Sequence, residues 1–283
     1  MNLVCLTTIV AEDGELEIQG LADESDTVLL MNGRNEINKR EAKWQTSAGR
    51  VMIKAGMDKE IKNVIEDKSA LAPMTSQESE RVWLDQPERV VDSRMILTEK
   101  LEEKADGSEE AIVKARWCGK GFTDPDLKMM VAKGETASPT LSTSGFWLVL
   151  QVLASMHWTM QLGGVTGAFL EVTEYVRDTG DLFLRQPSGG LPGLSPRQLF
   201  KVLKPLYGFN DAPRRWWLRF REVLLGLGWI QHRFCPCVFL LVESGGCVGI
   251  LGVHVDDVVT GGAGQSYTNS IVELRRVFPF RRC

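Results

Sequence analysis

The tetrapeptide His254-Val255-Asp256-Asp257 sets two carboxylates side by side, with the apolar run CVGILGV before it and VVTGG after it. Adjacent carboxylates repel, and an unpaired charge carried into a protein interior costs several kcal/mol. A divalent cation removes that conflict. Hard oxygen donors suit Mg²⁺, and two such ions roughly 3.5 to 4 Å apart are the usual device for in-line phosphoryl transfer. On spacing alone, an exposed Asp-Asp turn without metal accounts for the pair equally well.

A second segment with chemical potential runs from Arg197 to Arg221. It holds Arg197, Lys201, Lys204, Arg214, Arg215, Arg219 and Arg221 against Asp211 as its one acid, interleaved with Tyr207, Trp216, Trp217 and Phe220. The pattern fits a surface that follows a phosphate backbone, and equally a solvated helix face over a tryptophan-rich core. The whole chain is acidic, with net charge -4 and pI near 5.6. Nucleic-acid contact therefore has to come from local clusters rather than from a global positive field.

Several elements must position these residues. A helix-like stretch from Asn35 to Lys68 carries Trp44, Val51, Ile53, Ile61 and Val64 within an acidic lead-in, residues 1–85, of unreadable role. Strand patterns at Arg89–Leu97 and Ala111–Phe122 flank a charged Asp-Gly loop. Ser142–Met156 predicts a helix with Phe146, Val149, Leu150 and Leu153 on one face, and a strand from Met160 to Leu170 follows. After a Gly/Pro-rich loop and the short strand LFKVL, Asp211-Ala212-Pro213 starts a helix that ends at Gly226 or Gly228. CVFLLVESGGCVGILGV reads as two strands, the second leading into HVDD, which places both aspartates at a hairpin tip. A last helix is expected over Tyr267–Phe278.

Bulk properties narrow the class. The 283 residues, 43% hydrophobic and 25% charged, are ordinary for a globular protein. The six cysteines, at 5, 118, 235, 237, 247 and 283, match neither a zinc-finger pair nor a disulfide framework and read as free thiols. MNLVCLTTIV lacks the basic start of a signal peptide, and no apolar run reaches about 18 residues. The expectation is a soluble intracellular protein, cytoplasmic or nuclear.

Over residues 89–278 the order of segments resembles the reverse transcriptase of Ty1/copia retrotransposons. KARWCGKGF (114–122) resembles the family's KARLVAKGF, and SPTLSTSGFWLVLQVLASMHW (138–158) its SP-then-helix segment. GGVTGAFL (163–170) resembles DVKTAFL, and LFLRQPSGG (182–190) resembles VYMEQPEGF. LKPLYGFNDAPRRWW (203–217) resembles LKKALYGLKQAPRAWY, and HVDD (254–257) resembles YVDD. The resemblance implies an α+β architecture of fingers and palm over residues 86–283, with an antiparallel palm sheet backed by helices, and a chain ending before the thumb. It implies RNA- or DNA-templated addition of deoxynucleotides to a primer, with two Mg²⁺ ions held by Asp256 and Asp257. Lys114 and Arg116 would meet the triphosphate, Phe169 would lie under the sugar, and Asp211 would sit near the phosphates. Arg197, Lys201, Lys204, Arg214 and Arg215 would contact nucleic acid.

The chain departs from the family where its first catalytic aspartate belongs: Gly164, preceded by Gly163, takes that place. A glycine removes both a ligand and a negative charge, so activity should fall by orders of magnitude. Glu171 and Glu174 are the nearest acids downstream, but strand alternation would point Glu171 to the opposite face. The expectation is an inactive copy, with a non-catalytic nucleic-acid-binding module or a functionless remnant as the competing readings.

Overall fold

The computed structural model describes residues 9–12, 15–18, 36–103, 107–173 and 175–281. Glu174, Cys5, Cys283 and the tip of the charged Asp-Gly loop at 104–106 lie outside the described residues. The fold is α+β. Strands β1 (Ile9–Glu12) and β2 (Glu15–Ile18) form a small antiparallel hairpin. Helices α1 (Ala42–Gln45) and α2 (Ser47–Lys62) follow, and α2 continues through a π turn at Asn63–Asp67. The Thr46 side chain starts α2 by accepting the Gly49 N–H at 3.0 Å.

Next come β3 (Leu71–Pro73), α3 (Ser76–Asp85), β4 (Val90–Val91) and a long hairpin of β5 (Ser93–Glu103) and β6 (Glu109–Gly119). Helices α4 (Leu127–Ala132) and α5 (Thr143–Ser155) lead to β7 (Gln161–Val165), β8 (Phe183–Arg185), β9 (Leu199–Val202) and α6 (Ala212–Gly226). The chain then runs through β10 (Trp229–Gln231), β11 (Val238–Glu243), β12 (Gly246–His254), β13 (Asp257–Gly262), α7 (Gly264–Val277) and β14 (Phe280–Arg281).

Two sheets organise the molecule. The larger has the order β10-β11-β12-β13-β7-β14, and every neighbouring pair is antiparallel. The smaller has the order β3-β9-β8-β4, antiparallel except for the β4–β8 pair. Around the larger sheet, Val149 and Leu153 of α5 and Trp216, Phe220 and Leu224 of α6 join Leu251, Val253, Val259 and Phe278 in the main core. The spacing of Trp216, Phe220 and Leu224 is that of one helix face, which explains why this strongly charged segment is helical. Phe278 closes the cluster, its ring centroid 5.1 Å from Trp216 and 5.5 Å from Phe220.

One expectation needs correction. The strand anticipated over Met160–Leu170 stops at Val165, because Gly167 adopts a left-handed φ of +65° and Ala168–Glu171 winds into a 3₁₀ turn. In the N-terminal helical stretch Val51 faces solvent, while Trp44 is buried with Leu97, Val113 and Ala115 of the β5–β6 hairpin. The lead-in is thus fastened to the hairpin, and β3 adds an edge strand to the smaller sheet.

The α2–β6 contact is closest at Gly56, where a Cβ would fall 2.4 Å from the Val113 carbonyl oxygen. Alanine there would gain up to about 1 kcal/mol of helix propensity. Overpacking against backbone costs about 1–3 kcal/mol, so the loss should win. Gly56→Ala is expected to lower the urea midpoint; an unchanged or raised midpoint would show that α2 can stand off β6 without cost.

Candidate active site around the Asp256-Asp257 turn

Asp256 and Asp257 lie where β12 turns into β13, and His254 pairs with Asp257 across a two-residue loop of Val255 and Asp256. Val255 has a φ of +57°, a left-handed conformation that a β-branched residue takes only at a cost of order 1–3 kcal/mol. Neighbouring groups hold it there. The Trp216 indole N–H donates to the Val255 carbonyl at 2.6 Å, and the Val165 N–H donates to the Asp256 carbonyl at 2.8 Å. Helix α6 and strand β7 thus clamp the loop from two directions.

The register across three strands defines the site. Asp257 of β13 pairs with Gly164 of β7, and Gly164 pairs on its other side with Arg281 of β14. Residues abreast on paired strands project to one face of a sheet. The glycine leaves a gap between an acid and a base, and Arg281 crosses it. Its Nη2 donates to Asp256 Oδ2 at 3.0 Å and stands 3.7 Å from Asp257 Oδ1. Burial, followed by the charge of Asp256, raises the Asp257 carboxyl above the usual range, while Arg281 and His254 pull against that rise.

Lys114 and Arg116 stand two residues apart on β6 and so share a face. The Arg116 guanidinium lies 5.9 Å from the Tyr207 ring centroid, and that ring is 5.4 Å from Phe169. Burial first, then the charges of Arg116 and Arg281, depress the Lys114 ammonium. Tyr207, raised mainly by burial, also feels Asp256. Electrostatics therefore link Lys114 and Tyr207 to the aspartate turn, with Arg116 and Phe169 packed against the Tyr207 ring. Phe169 also packs against both large core clusters, so it carries a structural load as well. From α2, Glu60 enters the same neighbourhood by accepting the Trp117 N–H at 3.0 Å, and burial raises its carboxyl.

Other sequence-selected residues lie elsewhere in the fold. Asp211 is 1% exposed, and its oxygens accept from Tyr175 and Arg215 at 3.1 Å each, with Arg177 at 3.4 Å. It makes no side-chain cap to α6. Glu171 is bound to Lys68, which takes it away from the aspartates. Two cations of the 197–221 segment pair with acids outside it: Arg197 with Glu80 at 2.7 Å and Lys201 with Asp181 at 2.6 Å. Arg215 pairs with Asp211, Lys204 sits near both Glu171 and Lys68, and Arg214 donates to the Ala137 carbonyl at 3.1 Å.

An antiparallel sheet backed by helices, with paired aspartates at a hairpin tip and Lys114 and Arg116 on one face of a neighbouring hairpin, is the arrangement of a polymerase-like class. Residues 81–278 match the family model described as Reverse transcriptase (RNA-dependent DNA polymerase), and the chain belongs to that family. The likeness narrows further. The chain is 31% identical over 191 residues to the Retrovirus-related Pol polyprotein from transposon RE1 of Arabidopsis thaliana, covering 67% of this chain and 12% of that protein. It is 30% identical over 174 residues to the corresponding polyprotein from transposon RE2 of the same plant, covering 61% of this chain and 11% of that protein. With the polyprotein from transposon TNT 1-94 of Nicotiana tabacum it shares 28% identity over 164 residues, 56% of this chain and 12% of that protein. It is a reverse-transcriptase-like domain of a copia-type element, spanning a small part of the length of those relatives.

Sequence reasoning missed Arg281, Glu60 and Trp216 as parts of this site, although Trp216 stood in a quoted motif. Removing the Trp216 donor should cost about 1 kcal/mol and release the turn. Trp216→Phe is expected to lower stability by that amount and to speed hydrogen exchange at the Val165 amide. Unaltered exchange would show that the indole does not hold the loop.

Proposed function

We propose that this chain is a fingers-and-palm unit that keeps surfaces for a primer-template and a deoxynucleotide but has lost nucleotide addition. In this reading the β5–β6 hairpin is the fingers, with Lys114 and Arg116 toward the triphosphate, and the six-stranded sheet is the palm. Phe169, against Tyr207, would lie beneath the sugar. RNA or DNA would run across the face that carries the aspartates.

The observation that carries the loss of activity is the alignment of Asp257, Gly164 and Arg281 on adjacent strands. Magnesium demands near-octahedral oxygen ligands and draws them from carboxylates and substrate phosphates. Among the described residues, no group of three or more His, Cys, Asp or Glu side chains gathers to hold a metal. The position that should complete the set has no side chain, and a guanidinium stands beside it. The residues present do not fit a two-ion site. Primer extension on an RNA template with Mg²⁺ or Mn²⁺ is expected to give no more product than the Asp256→Asn/Asp257→Asn variant. Robust synthesis by the unaltered chain would overturn this reading.

A binding role without chemistry is favoured by one observation, the state of Arg214. Arg197, Lys201, Arg215 and Arg219 pair with carboxylates, whereas Arg214 donates to a neutral carbonyl, so it keeps its positive charge for a phosphate. Arg214→Ala should weaken primer-template binding and reduce the slope of log K against log salt by about 1, whereas Arg197→Ala should change neither appreciably. Equal effects from both variants would point to diffuse attraction instead.

A further inference from the structure

We propose that Arg281 takes the place of the metal, so that the chain's own guanidinium supplies counter-charge to the aspartate turn and closes it to divalent ions. This deepens the reverse-transcriptase reading and rests on it. The argument starts from Gly164. An added Cβ there would lie 2.6 Å from Arg281 Nη2, 2.9 Å from Asp257 Oδ1 and 3.1 Å from Arg281 Cζ. The guanidinium therefore fills the space that a side chain at 164 would need. Neighbouring strands are about 4.8 Å apart, so Asp257 and Arg281, flanking β7, are separated by about twice that distance. An arginine spans such a gap only when the residue between has nothing projecting from it.

Backbone structure holds Arg281 in place. The Thr166 N–H donates to the Pro279 carbonyl at 2.8 Å, and Phe280 pairs with Val165 while its ring lies over the Cβ direction of Gly163. Both glycines of the Gly163-Gly164 pair are therefore covered by β14, one by an aromatic ring and the other by a cation. Charge completes the case. Two adjacent carboxylates need a counter-charge, and Arg281 supplies one with a planar donor group suited to oxygen pairs. Its positive field also reaches Lys114.

The test measures Mn²⁺ binding by the full chain, using electron paramagnetic resonance of free Mn²⁺ and calorimetry. Five proteins are compared: the unaltered chain, Arg281→Gln, Arg281→Lys, Gly164→Asp, and the double variant Gly164→Asp/Arg281→Gln. The unaltered chain should show no saturable site at millimolar Mn²⁺. Replacing Arg281 should strengthen binding at least about tenfold in the Gly164→Asp background, and the double variant should bind most tightly. Arg281→Lys keeps the charge and should resemble the unaltered chain, which separates a charge effect from altered folding. The proposal fails if the unaltered chain binds Mn²⁺ as tightly as the double variant, or if replacing Arg281 strengthens binding in neither background. Primer-template binding is measured on the same samples. Its absence would count against the reverse-transcriptase reading while leaving the Arg281 contact to be judged on the metal titration alone.

Discussion

Two carboxylates on one tight turn create a standing demand for positive charge, and much of the architecture around them is arranged by that demand. Repulsion between Asp256 and Asp257 would by itself open the loop, and Val255 adds backbone strain. The opposing forces are short and local: an indole from α6, an amide from β7 and a guanidinium from β14. Each comes from a different element, so the loop keeps its shape only if the sheet and its backing helices are assembled. The main core, with Trp216, Phe220 and Phe278 in mutual contact, is therefore part of the site's geometry as well as its support.

A second charged assembly shows the same logic away from the turn. Arg177 is buried among Asp124, Asp126, Asp211 and the Tyr175 hydroxyl, while Arg89 reaches Asp126 at 2.8 Å. Buried ions on this scale survive only when mutually paired, and removing one partner usually costs more than the pair contributes. The network ties α4, the start of α6 and the segment between β7 and β8 into one block. It also fixes Asp211, which stands in a string of cations and tryptophans, as a buried acceptor for Tyr175, Arg177 and Arg215.

Much of this was legible in the chain. Periodicity marked α5 and α6 within a residue or two, and the apolar runs around Glu-Ser-Gly-Gly gave β11 and β12 with the aspartates at the next turn. Ordered motifs carried the family assignment. What stayed hidden depended on distance along the chain. Glu80 and Asp181 cancel Arg197 and Lys201 from elsewhere in the sequence, so a window over 197–221 sees cations that the fold has already neutralised. Strand β14 is two residues long, too short for any periodic signal, and its partner lies more than a hundred positions earlier. The break at Gly167 was concealed because an apolar string, GGVTGAFL, continues across it.

The pairing of Gly164 with Arg281 makes two distant positions one chemical unit. An aspartate placed at 164 would stand against an arginine already reaching for acids, and a salt bridge would form there. What a side chain at 164 can bind is therefore decided 117 residues away, by the residue at 281 across the strand pair.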